Sequence, residues 1–421
     1  MPGHLLFHAC DPADCRQYAN VQINSLPLAL FLARVLNRTL VLPPLMLFRT
    51  QGQHELYLDG GHDQANAYYR SFGEYFNVSR LQDVADVIVW DTFVASHEGA
   101  LPIDRLWYVQ HAGALRAGPE ACVELTRKLL HGSGQSGTRV LGSPVSVGHF
   151  QCGPVQLNGP HGFETWLRDY APSRLAAGMP SSLEHVDTLM VLGEWWGSTN
   201  YADEAVDPQL LPPPLPSVLI NEHLEFNDEL HAAAAAFIDA HLSAGYVSVH
   251  WRHGDYQQWS KQAPPEVVAA AALAALANMS TPASKDIFLA TNCKEVSQIR
   301  EVERLVTHGG ARLVRYFSDG GDGGDRPRAA FIEQLVASRA ATFLFTASSF
   351  FSHTIVRERR NRKLGPSVSM HGREQRLDFD EMRELVASGV VGIGRGPGSL
   401  KVPIFEQPMF AGASVGDKQE L

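Results

Sequence analysis

Tyr246-Val-Ser-Val-His-Trp-Arg-His-Gly-Asp-Tyr256 is the stretch on which the reading of this chain turns. Its first residues alternate as a buried strand does, and the run stops abruptly at His250, Arg252, His253 and Asp255. An open α/β sheet presents its chemistry in this way, where the carboxyl end of a strand points into a crevice. Gly254 lets backbone approach a ligand closely. Arg252 offers a planar fork of donors suited to phosphate oxygens. The competing reading pairs Arg252 with Asp255 at the strand end, and the surrounding sequence decides between the two.

Downstream of this strand, 264–278 is an Ala-rich helix, 286–291 a strand, and 294–307 has helical periodicity. Residues 311–317 then alternate as a strand, and 320–328 form a polar glycine-rich loop. Helix 329–338, strand 341–345 and a helix over 352–360, opened at a Ser-rich turn, complete this half. Asp286 reads as an ordinary loop charge. Upstream, 227–241 is an amphipathic helix, preceded by a linker that its prolines stiffen, Pro212-Pro-Pro-Leu-Pro216.

The amino-terminal half opens with a short apolar run at 4–8 and a polar loop at 11–20. A helix over 26–36 follows, and then a strand that Pro43 and Pro44 stop. That is a β-loop-α-β unit, the opening of a Rossmann-like domain whose first loop faces the ligand. Another strand spans 84–90, and 92–197 is loop-rich, with a flexible excursion at 132–142. Strands alternating with helices imply parallel sheets. The expectation is an α/β chain of two Rossmann-like domains facing across a cleft. Residues 1–211 form the first domain, 212–217 the linker, 218–385 the second domain and 386–421 a tail.

At 421 residues the chain is long enough for two domains. Hydrophobic residues at 45% and charged ones at 19% are the balance of a globular protein. A net charge of −10 with no uninterrupted basic tract argues against a nucleic-acid partner. No apolar run approaches the ~20 residues that span a bilayer. The five cysteines (Cys10, Cys15, Cys122, Cys152 and Cys293) show no CxxC spacing and argue against structural zinc; an odd number cannot all pair within the chain. No GxxxxGK[ST] or helix-opening GxGxxG is present. Three N-glycosylation triplets begin at Asn37, Asn77 and Asn278.

Three separated stretches resemble the GDP-fucose protein O-fucosyltransferases, nearest to the branch acting on thrombospondin type 1 repeats. They are Leu32-Ala-Arg-Val-Leu-Asn-Arg-Thr-Leu-Val-Leu-Pro-Pro44, Val249-His-Trp-Arg-His-Gly-Asp255, and 331–360 with Thr346-Ala-Ser-Ser-Phe-Phe-Ser352. The resemblance implies a GT-B glycosyltransferase that inverts the anomeric centre without a metal, with GDP-fucose as donor and no other cofactor. It implies that Arg252 contacts the diphosphate, that His250 lies against the nucleotide, and that Ser349, Phe350, Phe351 and Ser352 form the phosphate loop. By the residues alone, Ser352 is a candidate helix cap. Asn20 matches an asparagine near the sugar.

The chain departs from the family in its first loop, Arg16-Gln-Tyr-Ala-Asn-Val-Gln22, which has no glycine. Gln17, which cannot usefully accept a proton, stands where the thrombospondin-repeat branch has its glutamate base, and Asp14, three residues earlier, is the nearest carboxylate and the candidate base. Asn292 follows Ala290-Thr where relatives carry Asp, implying a changed contact with the nucleotide base. The leading expectation is transfer to a protein Ser or Thr hydroxyl, with 72–76 and 92–200 shaping the acceptor cleft. The alternatives are a glycan hydroxyl as acceptor and a non-catalytic binder. Lys418-Gln-Glu-Leu421 differs from the KDEL signal by one residue. It places the protein in the endoplasmic reticulum lumen if a signal peptide was removed, and in the cytoplasm otherwise.

Overall fold

The computed structural model describes residues 3–9, 23, 26, 29, 30, 33, 38–46, 69–111, 139–140, 143–155, 187–193, 223–253, 263–279, 284–316, 325–346, 349–365 and 367–369. The 11–20 loop with Asp14 and Asn20, Gly254 and Asp255, the 212–216 prolines and the 386–421 tail lie outside them. The strands in chain order are β1 (His4–Ala9), β2 (Thr39–Leu42), β3 (Leu45–Met46), β4 (Tyr69–Arg70), β5 (Val87–Val89), β6 (Leu101–His111) and β7 (Arg139–Val140). They continue with β8 (Ser143–Val155), β9 (Thr188–Gly193), β10 (Val247–Trp251), β11 (Asp286–Thr291), β12 (Arg312–Val314), β13 (Thr342–Phe345) and β14 (Ser367–Ser369). Two compact units result: residues 1–235 with 317–335, and residues 236–316 with 336–421.

In the second unit all five strands are parallel, in the order β12-β11-β10-β13-β14. Every residue of β10 is buried, which requires both faces of the sheet to be covered. Val247, Val249 and Trp251 join one core with Val268, Ala269 and Ala272 of the helix Pro265–Ala277 and Val302 and Val306 of the helix Val296–His308. The intervening Ser248 donates to the Ala337 carbonyl at 2.8 Å, at the end of the helix Arg326–Ser338 on the other face. Period-two alternation thus distributes one strand between two helical layers.

Asp286 corrects the sequence reading: it is 3% exposed at the start of β11, not a loop charge. Burial works against its charge, yet Arg312, at 2.8 and 2.9 Å, and the Ser243 amide hold the carboxyl below its ordinary value.

The first unit is built on a seven-stranded sheet, β5-β2-β1-β9-β6-β8-β7, parallel except for the β7–β8 pair. Between β1 and β2, Ile23, Leu26, Ala29, Leu30 and Ala33 are helical and buried, the spacing of one apolar helix face. The long strands β6 and β8 run through the region that the sequence marks as loop-rich. Pro102, Pro144, Gly148 and Pro154 conceal them, being residues depleted from strands. Gly148 is required by the pairing, because a Cβ there would lie 2.9 Å from the Asp104 carbonyl oxygen.

Residues 72–76 also depart from expectation. Phe72, Tyr75 and Phe76 are core residues. Phe76 stacks on Phe72 at 4.8 Å and on Phe226 at 4.7 Å, and Phe331 closes the cluster at 5.2 Å from Phe226. The Tyr75 hydroxyl donates to Asp325, whose carboxylate accepts from the Arg328 amide and so opens the helix Arg326–Ser338. These contacts give 218–235 and 317–335 to the first unit, where the sequence reading assigns both to the second.

Arg359 fastens the edge of the second sheet. It is 1% exposed, and its guanidinium donates to the carbonyls of Ser338 (2.7 Å), Ala340 (2.6 Å), Ala341 (3.3 Å) and Gly365 (2.6 Å) and to the Ser367 hydroxyl (3.1 Å). Arg359→Met strands these acceptors without donors. Denaturant unfolding is expected to show a loss of about 3 kcal/mol, and a loss below about 1 kcal/mol contradicts this role.

Candidate active site at the carboxyl edge of the second sheet

The chain leaves β10 towards β11 and β12, then returns on its other side to β13 and β14. This reversal is the topological switch point, and the crevice it leaves lies beyond the carboxyl ends of β10 and β13. Thr346, just past β13, joins the two ends. Its amide and its hydroxyl both donate to the His250 carbonyl at 3.1 Å, and its Oγ1 accepts the Arg252 amide at 3.0 Å.

The helix Phe350–Asn361 starts at the same edge. Its first turn brings Ser352 Oγ to 2.7 Å from His250 Nδ1, and the Phe351 ring stacks on the imidazole at 4.5 Å and 29°. Ser352 is therefore no cap. It sits inside the first turn, completely buried, and its hydroxyl donates to the Thr346 carbonyl at 3.2 Å. That hydroxyl has one proton, so it accepts from His250 Nδ1–H, which leaves Nε2 as the acceptor nitrogen.

On the β11 side, Thr291 Oγ1 donates to the Trp251 carbonyl at 2.6 Å. Asn292 faces His253 with both halves of its amide. Oδ1 accepts the His253 amide at 2.7 Å, and Nδ2 donates to the His253 carbonyl at 2.9 Å. His253 Nε2 meets Gln298 Oε1 at 2.9 Å.

Of the residues singled out in the sequence, His250, Arg252, Asn292, Ser349, Phe351 and Ser352 gather on this one edge, and Phe350 opens the helix. Asp14 and Asn20 lie outside the described residues. Thr346 and Gln298 escaped the sequence reading; the one signal for Thr346 is a β-branched hydroxyl directly after an apolar strand. Chemically the edge combines the half-buried Arg252 with the start of a helix, the donor types of an anion site, and sets a neutral imidazole beside them. Among the described residues no group of three or more His, Cys, Asp or Glu is placed to hold a metal ion.

The family model described as GDP-fucose protein O-fucosyltransferase matches residues 19–362. No curated protein matches the chain. POFUT1 in complex with GDP-fucose superposes with a TM-score of 0.52 at 15% identity, covering 87% of this chain and 97% of that one. POFUT1 in complex with GDP gives 0.50 at 15% identity, covering 87% and 98%. NodZ α-1,6-fucosyltransferase co-crystallised with GDP gives 0.39 at 16% identity, covering 85% and 92%. The likeness to POFUT1 is one of fold: an α/β chain of the GT-B kind with two Rossmann-like units.

Burial, reinforced by Arg252, pushes the His250 imidazole down to about 3 from its ordinary 6.5. The unfolded chain therefore binds a proton between those values that the folded chain refuses. The resulting stability is complete above about pH 6.5 and is lost as pH falls towards about 3. Melting temperatures of the wild type and His250→Gln from about pH 7 to about pH 5 test this. The wild type is expected to lose stability more steeply on acidification, and parallel slopes contradict it.

Proposed function

The chain belongs to the GDP-fucose protein O-fucosyltransferase family, and from that premise we propose that it is an inverting fucosyltransferase moving fucose from GDP-fucose to a Ser or Thr hydroxyl of a protein. The observation that carries the reading is the convergence of Arg252 with the start of the helix Phe350–Asn361 at the switch point of the second sheet.

As the bond between fucose C1 and the β-phosphate oxygen breaks, negative charge grows on the departing GDP. A guanidinium held at the strand end meets that charge with two parallel N–H donors, and the first-turn amides around Ser349–Ser352 meet it from the other side. His250 stays neutral at this edge, so it adds an acceptor and no second positive charge. The acceptor hydroxyl attacks C1 on the face opposite GDP, and the configuration inverts.

Asn20 is assigned to positioning the sugar and Asp14 to receiving the hydroxyl proton. Gln17, in the place of the branch's glutamate, has no useful basicity. That same residue favours the second reading, a family member that binds GDP-fucose and does not turn it over. Metal independence is part of the proposal, the guanidinium and helix amides standing where a divalent cation would otherwise neutralise the diphosphate.

Arg252→Ala is expected to lower turnover at least ~10²-fold with the melting temperature retained; activity within a few-fold of wild type removes Arg252 from the chemistry. Chelation with EDTA is expected to leave turnover unchanged, and complete loss restored by manganese rejects the metal-independent mechanism.

A further inference from the structure

We propose that Asn292 is a positioning residue for Arg252, acting through the peptide groups of His253 and not on the nucleotide base. The proposal rests on the reading of this edge as the GDP-fucose site. Two bonds exchanged with the amide and the carbonyl of a single residue are the pattern of facing residues in an antiparallel ladder. The Asn292 carboxamide thereby takes the place of the C=O and N–H of a facing residue. It extends the bonding of β10 to His253, two residues past Trp251, whose pair with Thr291 is the last of the β10–β11 register.

The consequence falls on Arg252. Its φ and ψ are the angles between the peptide plane before it and the plane after it. The plane before it is held at both ends, because the Trp251 carbonyl accepts from Thr291 and the Arg252 amide donates to Thr346. The plane after it is held by Asn292 Oδ1 at the His253 amide, and the His253 carbonyl beyond is held by Nδ2. Gln298 fixes the His253 ring, and Glu295 Oε2 fixes Gln298 at 2.6 Å. Without Asn292 the two planes are no longer fixed against each other, and rotation about φ of Arg252 carries its side chain with it.

A carboxamide has one edge on which an acceptor and a donor lie side by side. Here that edge is spent on His253, so a paired contact with a base edge is not open to Asn292. An Asp at this position keeps the acceptor for the amide but sets a carboxylate oxygen against the His253 carbonyl. The two roles therefore respond oppositely to Asn292→Asp: a base reader gains a stronger acceptor, whereas the clamp loses half of itself.

Hydrogen–deuterium exchange on the unliganded protein reads the clamp without reference to any nucleotide. Asn292→Ala and Asn292→Asp are expected to speed exchange at residues 252–253 while β11 keeps its protection. Unchanged exchange there overturns the proposal, whether or not GDP binds; wild type that fails to bind GDP in calorimetry instead overturns the parent reading. For turnover, both variants are expected to lose about 10- to 100-fold in kcat with the preference for GDP over ADP retained. A cycle with Arg252→Lys is expected to be strongly non-additive, since Asn292 acts through Arg252. Relaxed nucleotide preference, or losses that simply multiply, assign Asn292 to the base and overturn the proposal.

Discussion

The functional edge depends on the knot at Thr346. Parallel strands end with their last carbonyls and amides unpaired, and at a switch point the neighbouring ends diverge. Thr346 closes that gap with two donors on the His250 carbonyl and one acceptor for the Arg252 amide, while its own carbonyl takes the Ser352 hydroxyl. One residue thus ties the end of β10 to the first turn of the helix Phe350–Asn361. The Arg252 backbone and the start of that helix are thereby tied to the same residue.

Around the knot the electrostatics are sorted by burial. His250, 3% exposed and stacked on Phe351, is held neutral, and Arg252 remains the charged group. A buried imidazolium beside that guanidinium would add repulsion. Across the strand, Thr291, Asn292 and Gln298 fix the chain beyond the end of β10. The edge is thus organised by bonds within the chain, the preorganisation that a site acting on a developing charge requires.

Much of this was legible in the sequence, and the failures have physical causes. The 246–256 run announced a buried central strand, because its alternation ends in polar residues that a core does not tolerate. Helix and strand alternation after residue 227 gave the second sheet, though the short β14 went unseen. Strands β6 and β8 were missed because proline and glycine interrupt them and their exposed positions look like loop. Phe72, Tyr75 and Phe76 misled in the opposite sense: aromatics near a turn resemble a cleft lining, yet partners as distant as Phe226 and Phe331 bury them. Long-range partners also explain Asp286, whose Arg312 lies on the adjacent strand. The same limit applies to Asn292: a side chain that bonds only backbone leaves no residue-type signal at the other end.

The most direct test of the central claim is a crystal structure of the protein with GDP. The account predicts the diphosphate at the carboxyl edge of the second sheet, between the Arg252 guanidinium and the first-turn amides of the helix Phe350–Asn361. A nucleotide bound elsewhere, or one whose phosphates touch neither Arg252 nor that helix start, contradicts it.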